Sequence, residues 1–399
     1  MAFNARILTV SSLKQAQDEL AKVNCDKTGI QIMGNKAVFK VMKVEGILTK
    51  GANLLKQTFL AKGGEVAVGR GTADLSIERT DVLICATLKQ YKMAVSQLKL
   101  QPWGLPQIAQ AIEDALNENE RGPERRYAWG EKVLSIVPQR TVIMGILNVT
   151  PDSFSDGGRY NTLDTALRRV EEMIQNGADI IDIGAESTRP YQGGEKISAE
   201  EEMERLGLLL EKVLDISSVP VSVDTYKPKV ALQALQLGAH MINDVWGLQY
   251  DPEMPKVIAQ YKVPVVIMHN QNGTYYEKDI MSEICSFLQK SIDIGLKAGI
   301  SFDQFIVDPG IGFGKTPEQN LMVMSRLEEL TSLRCPILLG TSNKRFIGEV
   351  LQLPVEDRVE GTGATISMGI MKGSNIVRVH EVKVMARIAK MMDAMRRDV

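Results

Sequence analysis

The sequence predicts an α/β protein in which a (β/α)8 TIM barrel, over about residues 140–399, follows a small α+β or α/β N-terminal domain. Three observations predict this fold. Strand-like and helix-like segments alternate through eight units in the last part of the chain. Each strand-like run is followed by a side chain that can form hydrogen bonds. A charged stretch with Gly and Pro, residues 117–140, separates the two parts.

The N-terminal domain is expected to span residues 1–118, with a linker at 119–139. The hydrophobic pattern predicts helices at 13–23, 52–62, 89–99 and 105–116, and strands at 29–33, 36–44 and 81–86. This region carries no catalytic constellation, and its paired glycines are typical of turns. We therefore expect it to have a scaffold or interface role.

In the barrel, short apolar runs predict buried parallel strands and amphipathic segments predict the helices between them. Strands are predicted at 142–147, 179–183, 220–223, 240–242, 264–268, 305–307, 336–339 and 376–379. Helices are predicted at 163–175, 199–215, 229–237, 283–297 and 382–395. A doubly wound open sheet is the structural alternative, but it rarely has eight parallel strands without a dinucleotide-binding motif.

Polar side chains lie at the ends of all eight predicted strands or just after them, at the end where barrel active sites lie. They are Asn148, Glu186 with 187–189, Asp224, Asn243 with Asp244, His269 with Asn270, Asp308, Ser342 with Lys344, and Arg378 with His380. One such residue is commonly only a turn residue. Eight of them at one end of a barrel predict a site for a polar ligand.

The residue types narrow the ligand. Asp224, Asn243 and Asp308 offer acceptors and one amide, and Lys344 offers donors. This set suits a flat heterocycle with amino, ring N–H and carbonyl groups, of which a pterin is the obvious case.

A second group, Asn148, Arg378 and His380, suits an anion such as a phosphate. The Asn148 oxygen could also hold Mg²⁺ beside a diphosphate. Ser342, at a predicted helix start, could receive a carboxylate.

Composition excludes several other classes of function. The chain has 399 residues and a net charge of −2, so no strong field favours nucleic acid or an anionic membrane. The sequence has no apolar run long enough to span a membrane, and its start does not have the pattern of a secretory signal. Its four scattered cysteines are expected to be reduced thiols of a cytoplasmic enzyme. Residues 310–316 look like a nucleotide-binding loop, but Pro309 occupies the position where that pattern requires Gly.

Seven segments together resemble the dihydropteroate synthases, a family of pterin-binding barrels. The resemblance covers residues 140–399, and its motifs occur in the order that the family shows. The segments are MGILNVTPDSFSDGG at 144–158, DIGAESTRP at 182–190, SVDTYKP at 222–228, INDVWG at 242–247, DPGIGFGK at 308–315, GTSNKRFIG at 340–348 and RVHEV at 378–382.

This resemblance implies a transferase of folate biosynthesis that joins 6-hydroxymethyl-7,8-dihydropterin diphosphate to para-aminobenzoate and releases pyrophosphate. It implies that the pterin is bound by Asp224, Asn243, Met268, Asp308 and Lys344. It implies that the diphosphate is bound by Asn148, which would also ligate Mg²⁺ as the cofactor, and by Arg378 and His380.

The resemblance further implies that two loops close over the site, the first at 152–156 and the second at 187–190. It places para-aminobenzoate, and the sulfonamides that mimic it, against Thr188, Arg189, Pro190, Phe313 and Ser342. The residues expected to take part in the chemistry are Asp152, Lys344, Arg378 and His380. A carbocation-like transition state needs neutralisation of the leaving group more than it needs a strong base.

The sequence departs from the family pattern at the mouth of the site, in three places. Asn343 and Arg345 alter the run around Lys344, Tyr191 and Gln192 alter the second loop, and Gln271 stands where Arg is frequent. These changes put in question the affinity for para-aminobenzoate and sulfonamides.

Two other functions are alternatives to the synthase. A pterin-dependent methyltransferase with a corrinoid partner would use the pterin-binding residues but not the 148–158 loop. A non-catalytic pterin-binding protein is the other alternative.

The resemblance also implies a homodimer through the late barrel helices, where Ile366, Met368, Ile370 and Met371 lie. Ordinary core packing is the alternative role for these apolar residues.

Overall fold

Two units make up the chain in the computed structural model, residues 1–121 and 122–399. The structure describes residues 3–121, 123–149, 159–186 and 197–396, and it leaves the side chains of 118–121 and 159–162 undescribed. Within these ranges, no helix is both long enough and apolar enough to cross a membrane.

The N-terminal unit combines helices with a three-stranded antiparallel sheet of order β1-β3-β2. Its helices are α1 (Leu13–Lys22), α2 (Lys27–Ala37), α3 (Thr49–Leu60), α4 (Leu88–Leu98) and α5 (Leu105–Arg121). Its strands are β1 (Phe39–Leu48), β2 (Glu65–Val68) and β3 (Arg79–Thr87). Alternate β3 residues, among them Val82 and Ile84, face a core that includes Leu55 and Phe59, so period-two patterning sets the buried face.

One strand prediction for this unit is wrong, because residues 29–33 lie inside helix α2. The Asp26 side chain accepts a hydrogen bond from the backbone N–H of Gly29 at 2.9 Å and thereby caps this helix. The apolar residues in 29–33 had suggested a strand, but so short a run does not distinguish a strand from a helix. Strand β2, which the sequence analysis did not predict, pairs with β3.

Eight parallel strands form the barrel of the second unit, as predicted. They are β6 (Val142–Asn148), β7 (Ile180–Gly184), β8 (Val221–Asp224), β9 (Met241–Asp244), β10 (Val265–Met268), β11 (Phe305–Asp308), β12 (Leu338–Leu339) and β13 (Ile376–Val379). Neighbours pair in the order β11-β10-β9-β8-β7-β6-β13-β12. A parallel bridge between Val307 and Ile337 brings β11 next to β12, so the sheet closes on itself.

The helices that follow the strands cover the outside of this barrel. They are α6 (Arg159–Gln175), α7 (Ala199–Ile216), α8 (Pro228–Leu237), α9 (Met254–Tyr261), α10 (Ile280–Ala298), α11 (Pro317–Ser325), α12 (Arg345–Leu351), α13 (Val359–Met371) and α14 (Val382–Arg396). Their buried faces share one apolar cluster with the outward-facing strand residues, such as Ile181 and Val223. The site therefore rests on strands that are packed on their outer side.

A β-hairpin precedes the barrel, within the stretch that the sequence analysis assigns to a linker. Its strands are β4 (Arg125–Trp129) and β5 (Lys132–Ile136), which pair antiparallel. Leu134 and Ile136 are buried with inward-facing residues from the N-terminal halves of barrel strands, for example Met144 and Met241. The hairpin thus fills the N-terminal end of the barrel, and periodicity alone did not show this because each strand has only five residues.

We expect Ile136→Ala to destabilise the barrel by about 2–5 kcal/mol, because it leaves a cavity where the side chain is fully buried. Urea unfolding followed by tryptophan fluorescence would measure this, since Trp129 and Trp246 lie in the second unit. Val133→Ala is the matched control on the same hairpin. Its side chain is 44% exposed, so its effect should stay within about 0.5 kcal/mol. Equal effects of the two substitutions would contradict this role of the hairpin.

Candidate active site

Charged and amide side chains meet at the carboxyl ends of the barrel strands. Asp224 ends β8, Asp308 ends β11, Asn243 lies near the end of β9, and Arg378 lies on β13. Asp182 lies in the middle of β7 and is fully buried. Parallel strands of a closed barrel present such residues to one interior, so residues distant in sequence become neighbours.

Arg378 joins two of these carboxylates. Its Nε donates to Asp182 Oδ2 at 2.6 Å, and its Nη2 donates to Asp224 Oδ2 at 2.7 Å. Asn243 Nδ2 donates to the same oxygen of Asp182 at 3.4 Å. The guanidinium therefore neutralises two buried acids and fixes their orientation.

Each carboxylate in this network keeps one oxygen for another donor. The Oδ1 atoms of Asp182 and Asp224 are buried and accept no hydrogen bond from the described residues. Buried acceptors in proteins are almost always paired, so two unpaired carboxylate oxygens in the barrel interior indicate a site for donor groups of a ligand.

Burial controls the protonation of the two strand-end acids. It raises the pKa of Asp224 to about 7, with Arg378 opposing the shift and Asp182 adding to it. Burial also raises the pKa of Asp308 to about 6, against the opposing hydrogen bond that Gly310 N–H donates to Asp308 Oδ1 at 2.7 Å. Both acids therefore change from the protonated to the ionised form near neutral pH, and the ionised form accepts hydrogen bonds from the N–H groups of a ligand.

An apolar cluster lies beside these polar groups. Met268 and Phe313 are buried in it, together with Tyr226, Val245 and the partly buried Trp246. The Lys344 Nζ atom stands 4.2 Å from the centroid of the Phe313 ring, which is a cation–π contact. Apolar walls with a few fixed polar groups are typical of sites for flat ligands.

A second set of residues lies around the ends of β6, β12 and β13. The Ser342 hydroxyl and His380 Nδ1 are 2.9 Å apart, and Ser342 Oγ also accepts the backbone N–H of His380 at 3.2 Å. These bonds tie the loop after β12 to the end of β13. Asn148, the last residue of β6, is exposed.

A magnesium ion held only by protein is not supported by the described side chains, which contain no cluster of three or more His, Cys, Asp or Glu suited to a metal. Asn148 does present an exposed oxygen donor at the strand end. Mg²⁺ commonly binds through one or two protein oxygens together with substrate phosphates and water. The residues present therefore fit an ion brought by a diphosphate.

The structure brings together most of the predicted site residues that it describes. Asp224, Asn243, Met268, Asp308, Lys344 and Arg378 belong to the barrel interior and its apolar wall, with Ser342 and His380 at its edge. Four predicted residues lie outside the described ranges, namely Asp152, Thr188, Arg189 and Pro190. The altered positions Tyr191 and Gln192 also lie outside them.

Sequence reasoning missed two buried charges of the site. Asp182 lies in one of the family-like segments without a predicted role, and Lys315 lies in the 310–316 segment that the sequence rules out as a nucleotide-binding loop. The signal was present for Asp182, because an acid inside an apolar strand must find a partner in the interior. Lys315 is only 2% exposed. The sequence alone does not show this burial, because a charged residue in a loop is ordinarily exposed.

Glu186 serves a different network from the one that Arg378 organises. It accepts hydrogen bonds from the Lys227 ammonium and from Tyr226 Oη, the latter at 3.2 Å. Lys227 Nζ also donates to the buried Glu202 at 2.7 Å. These contacts hold the chain at the base of the second loop.

The other unusual residues at the mouth have local partners. Gln271 Nε2 donates to the Tyr275 carbonyl at 3.1 Å and to the Gly314 carbonyl at 3.4 Å. Asn343 has φ +56°, a left-handed conformation that Asn adopts more readily than most residues. Arg345 is largely exposed and pairs with Glu349 one turn further along α12. None of these contacts involves the Arg378 network.

Comparison with known proteins agrees with this geometry. Residues 144–380 match the family model described as pterin binding enzyme. A dihydropteroate synthase of Bacillus subtilis is 54% identical over 257 residues, which are 64% of this chain and 89% of that protein. The solved dihydropteroate synthase from Clostridium difficile, obtained in the presence of pteroic acid, is 50% identical with a TM-score of 0.63. That alignment covers 65% of this chain and 97% of the solved one.

The N-terminal unit is also shared with a relative. A Halobacterium salinarum protein, named as a probable bifunctional folylpolyglutamate synthase/dihydropteroate synthase, is 37% identical over 380 residues. The alignment covers 94% of this chain and 45% of that protein. It therefore extends beyond the barrel into residues 1–121.

We expect Arg378→Met to destabilise the protein by about 3–5 kcal/mol near neutral pH, because it leaves buried carboxylates uncompensated. Below pH 7 Asp224 is protonated in the wild type as well, since its pKa is about 7. In Arg378→Met the pKa of Asp224 rises further, because the opposing charge is gone. Folding of the variant therefore still requires uptake of a proton by Asp224 above pH 7, where folding of the wild type does not. Between pH 7 and 9 the deficit should therefore widen by up to about 1.4 kcal/mol per pH unit.

Urea unfolding at pH 6, 7, 8 and 9 would measure this deficit. Arg345→Met is the matched control, because Arg345 is 73% exposed and its loss should change stability by less than about 0.5 kcal/mol. A deficit for Arg378→Met that does not depend on pH would contradict the assignment.

Proposed function

The chain belongs to the pterin-binding enzyme family, as a dihydropteroate synthase and hence a transferase of folate biosynthesis, and we propose the residue roles by which its barrel performs the reaction. The observation that carries the proposal is the buried bridge from Arg378 to Asp182 and Asp224, next to an oxygen of Asp224 that no described residue uses. The substrates are 6-hydroxymethyl-7,8-dihydropterin diphosphate and para-aminobenzoate.

The pterin ring binds among Asp224, Asn243, Asp308 and Lys344. Its amino group and ring N–H meet the oxygen of Asp224 that is left unpaired, while the donors of Lys344 serve the ring acceptors. Met268 supplies an apolar face for the ring. The acid, amide and ammonium groups thus match the alternating donors and acceptors of the pterin edge.

The diphosphate lies between Asn148, Arg378 and His380. Arg378 uses two of its N–H groups on the buried acids, and a guanidinium has five donors, so it can also serve an anion. Asn148 would hold Mg²⁺ that enters with the diphosphate, and this ion would neutralise charge on the leaving group. Arg378 and His380 orient the diphosphate for departure.

In the reaction, the bond between the pterin methylene carbon and the diphosphate oxygen breaks, and its electron pair leaves with pyrophosphate. The amine lone pair of para-aminobenzoate forms the new C–N bond, and the amine nitrogen then loses a proton. Positive charge on the methylene is shared with the electron-rich ring, so neutralising the leaving group lowers the barrier more than a strong base would. The apolar wall formed with Phe313 keeps water away from this carbon.

Para-aminobenzoate occupies the mouth of the site, against Phe313 and Ser342. Phe313 offers a ring face, and the Ser342 hydroxyl offers a polar group for the carboxylate. Asp152, Thr188, Arg189 and Pro190 complete this pocket in our proposal, on the strength of the family motifs alone. Sulfonamides would compete for the same place.

We also propose that the protein is a homodimer in the cytoplasm. Ile366 and Ile370 are fully buried and pack inside the barrel unit, so for these two residues the core-packing alternative holds. Met368 and Met371 on α13 remain available, being 40% and 57% exposed. No disulfide joins the four cysteines, all of which are described, and this fits a reducing compartment. The N-terminal unit keeps its proposed scaffold or interface role.

We expect the protein to form 7,8-dihydropteroate and pyrophosphate from the two substrates and Mg²⁺, with turnover that requires both substrates. Asp224→Ala and Arg378→Ala should each lower kcat/KM by at least about a hundredfold, because each removes a charged group from the substrate site. Lys297→Ala, at an exposed position in the last turn of α10, is the control and should retain activity. Coupled pyrophosphate release and product chromatography would measure these rates.

A sulfonamide arm of the same assay tests the altered mouth residues, by comparing inhibition of the wild type with that of Gln271→Arg. Binding of the pterin diphosphate without turnover would instead support a non-catalytic pterin-binding protein. Methyl transfer from methyltetrahydrofolate to a corrinoid would support the methyltransferase alternative.

We expect affinity for 6-hydroxymethylpterin to fall as the pH drops below about 7. Ring N–H groups bind the ionised form of Asp224, whose pKa burial raises to about 7, and Asp308, raised to about 6, adds to the loss at lower pH. The limit is about tenfold per pH unit for each proton taken up. Calorimetric titration between pH 5.5 and 7.5 would measure it, with Asp224→Asn as a control expected to show a shallower dependence. Affinity that rises toward low pH would exclude the assigned role of Asp224.

A further inference from the structure

The buried ammonium of Lys315 has no role in the reaction as proposed, although it lies directly behind the site. Its side chain is 2% exposed. The Nζ atom contacts three acceptors, His269 Nδ1 at 2.9 Å, the Gly310 carbonyl at 3.0 Å and the Phe313 carbonyl at 3.1 Å. Burial lowers the pKa of Lys315 to about 7, so the ammonium form, in which all three N–H groups are satisfied at once, is populated at and below neutral pH.

The ring of His269 is built to accept from this ammonium. Burial lowers the pKa of His269 to about 2, and the charge of Lys315 adds to the shift, so the ring is neutral. An ammonium can only donate, so Nδ1 faces it as an acceptor. The His269 ring is itself packed against Tyr276 and Phe287.

The loop that Lys315 holds has a conformation that few sequences can adopt. Gly310 has φ +67°, and a Cβ there would lie 1.9 Å from the His269 carbonyl oxygen. Gly312 has φ +82°, and a Cβ there would lie 2.9 Å from Lys344 Cδ. The backbone therefore passes close to β10 on one side and to Lys344 on the other.

Further contacts fix the same loop from its flanks. Gly312 N–H donates to the buried Asn320 Oδ1 at 2.7 Å, and Tyr276 Oη donates to the Gly314 carbonyl at 2.9 Å. The loop also carries Phe313, whose ring lies against Lys344, and Gly310, whose N–H holds Asp308. The position of the loop thus determines where the Phe313 ring lies relative to the Lys344 ammonium.

We propose that Lys315 is a positioning residue for the second substrate, because it holds the 310–315 loop so that Phe313 forms one wall of the para-aminobenzoate pocket beside Lys344. The inference rests on the proposed function and deepens it. Lys315 does not touch the substrates. Its effect passes through Phe313, which the three hydrogen bonds keep in place.

The test is a double-mutant cycle in steady-state kinetics, using wild type, Lys315→Met, Phe313→Ala and the double variant. Lys315→Met should raise the KM for para-aminobenzoate by about tenfold, the effect expected when buried carbonyls lose their donor. The KM for the pterin diphosphate should rise clearly less than the KM for para-aminobenzoate, because Asp308 is held on β11 and loses only the charge of Lys315 that opposes its raised pKa. The double variant should be no worse than Phe313→Ala, because both changes disable the same wall.

Lys297→Met, at an exposed position in the last turn of α10, is the matched control and should leave both KM values unchanged. Equal rises of both KM values in Lys315→Met, or effects that multiply in the double variant, would overturn the inference, because either result indicates a general structural role. If Lys315→Met does not fold, Lys315→Gln takes its place, because the amide stays polar in the buried site but is shorter and lacks the third donor of the ammonium. It should raise the KM for para-aminobenzoate in the same selective way, and no change in that variant would overturn the inference.

The wild-type assay separates this inference from the proposed function. Absence of turnover in the wild type would contradict the proposed function before any variant is compared. Normal wild-type turnover, with no selective effect of Lys315→Met on para-aminobenzoate, would contradict only the positioning role.

Discussion

The buried bridge between Arg378 and the carboxylates of Asp182 and Asp224 is the interaction on which the site depends. Two acids and one guanidinium in a barrel interior are stable only if each charge has a partner. Holding the acids with one oxygen each leaves the other oxygens for a ligand. Burying these charges costs desolvation free energy, and the packing of the surrounding strands offsets that cost.

The barrel supplies the rigidity that this arrangement needs. Its strands are short and buried on both sides, with helices outside and inward-facing side chains within. The hairpin that contains Leu134 and Ile136 fills the end of the interior opposite to the site. Because chemistry and packing occupy opposite ends of the same strands, residues at the carboxyl ends can vary in charge without opening the core.

Behind the loops of the site lies a further layer of hydrogen bonds. Lys315 holds a loop from inside the protein, while Glu186 and Lys227 hold the base of another. Groups that never touch a ligand thus orient those that do. The same layer accommodates the altered residues of the mouth, since Gln271 is bonded to local backbone rather than to the charged centre.

The sequence by itself determined the barrel and most of the polar residues at the ends of its strands. Short apolar runs that end in a polar residue predict buried strands with functional side chains at their carboxyl ends. Asp224, Asn243 and Asp308 were identified from this pattern. Local pattern failed for residues 29–33, because a capped helix and a strand both accommodate so short an apolar run.

Only the tertiary structure decided which groups are partners. Asp182 and Arg378 are 196 positions apart, and no periodicity connects them until the sheet closes. The burial of Lys315 and the inward orientation of Ile366 likewise depend on neighbours that the chain brings together only in the folded barrel. Periodicity records which face of an element is apolar, whereas the pairing of buried charges is set by distances across the interior.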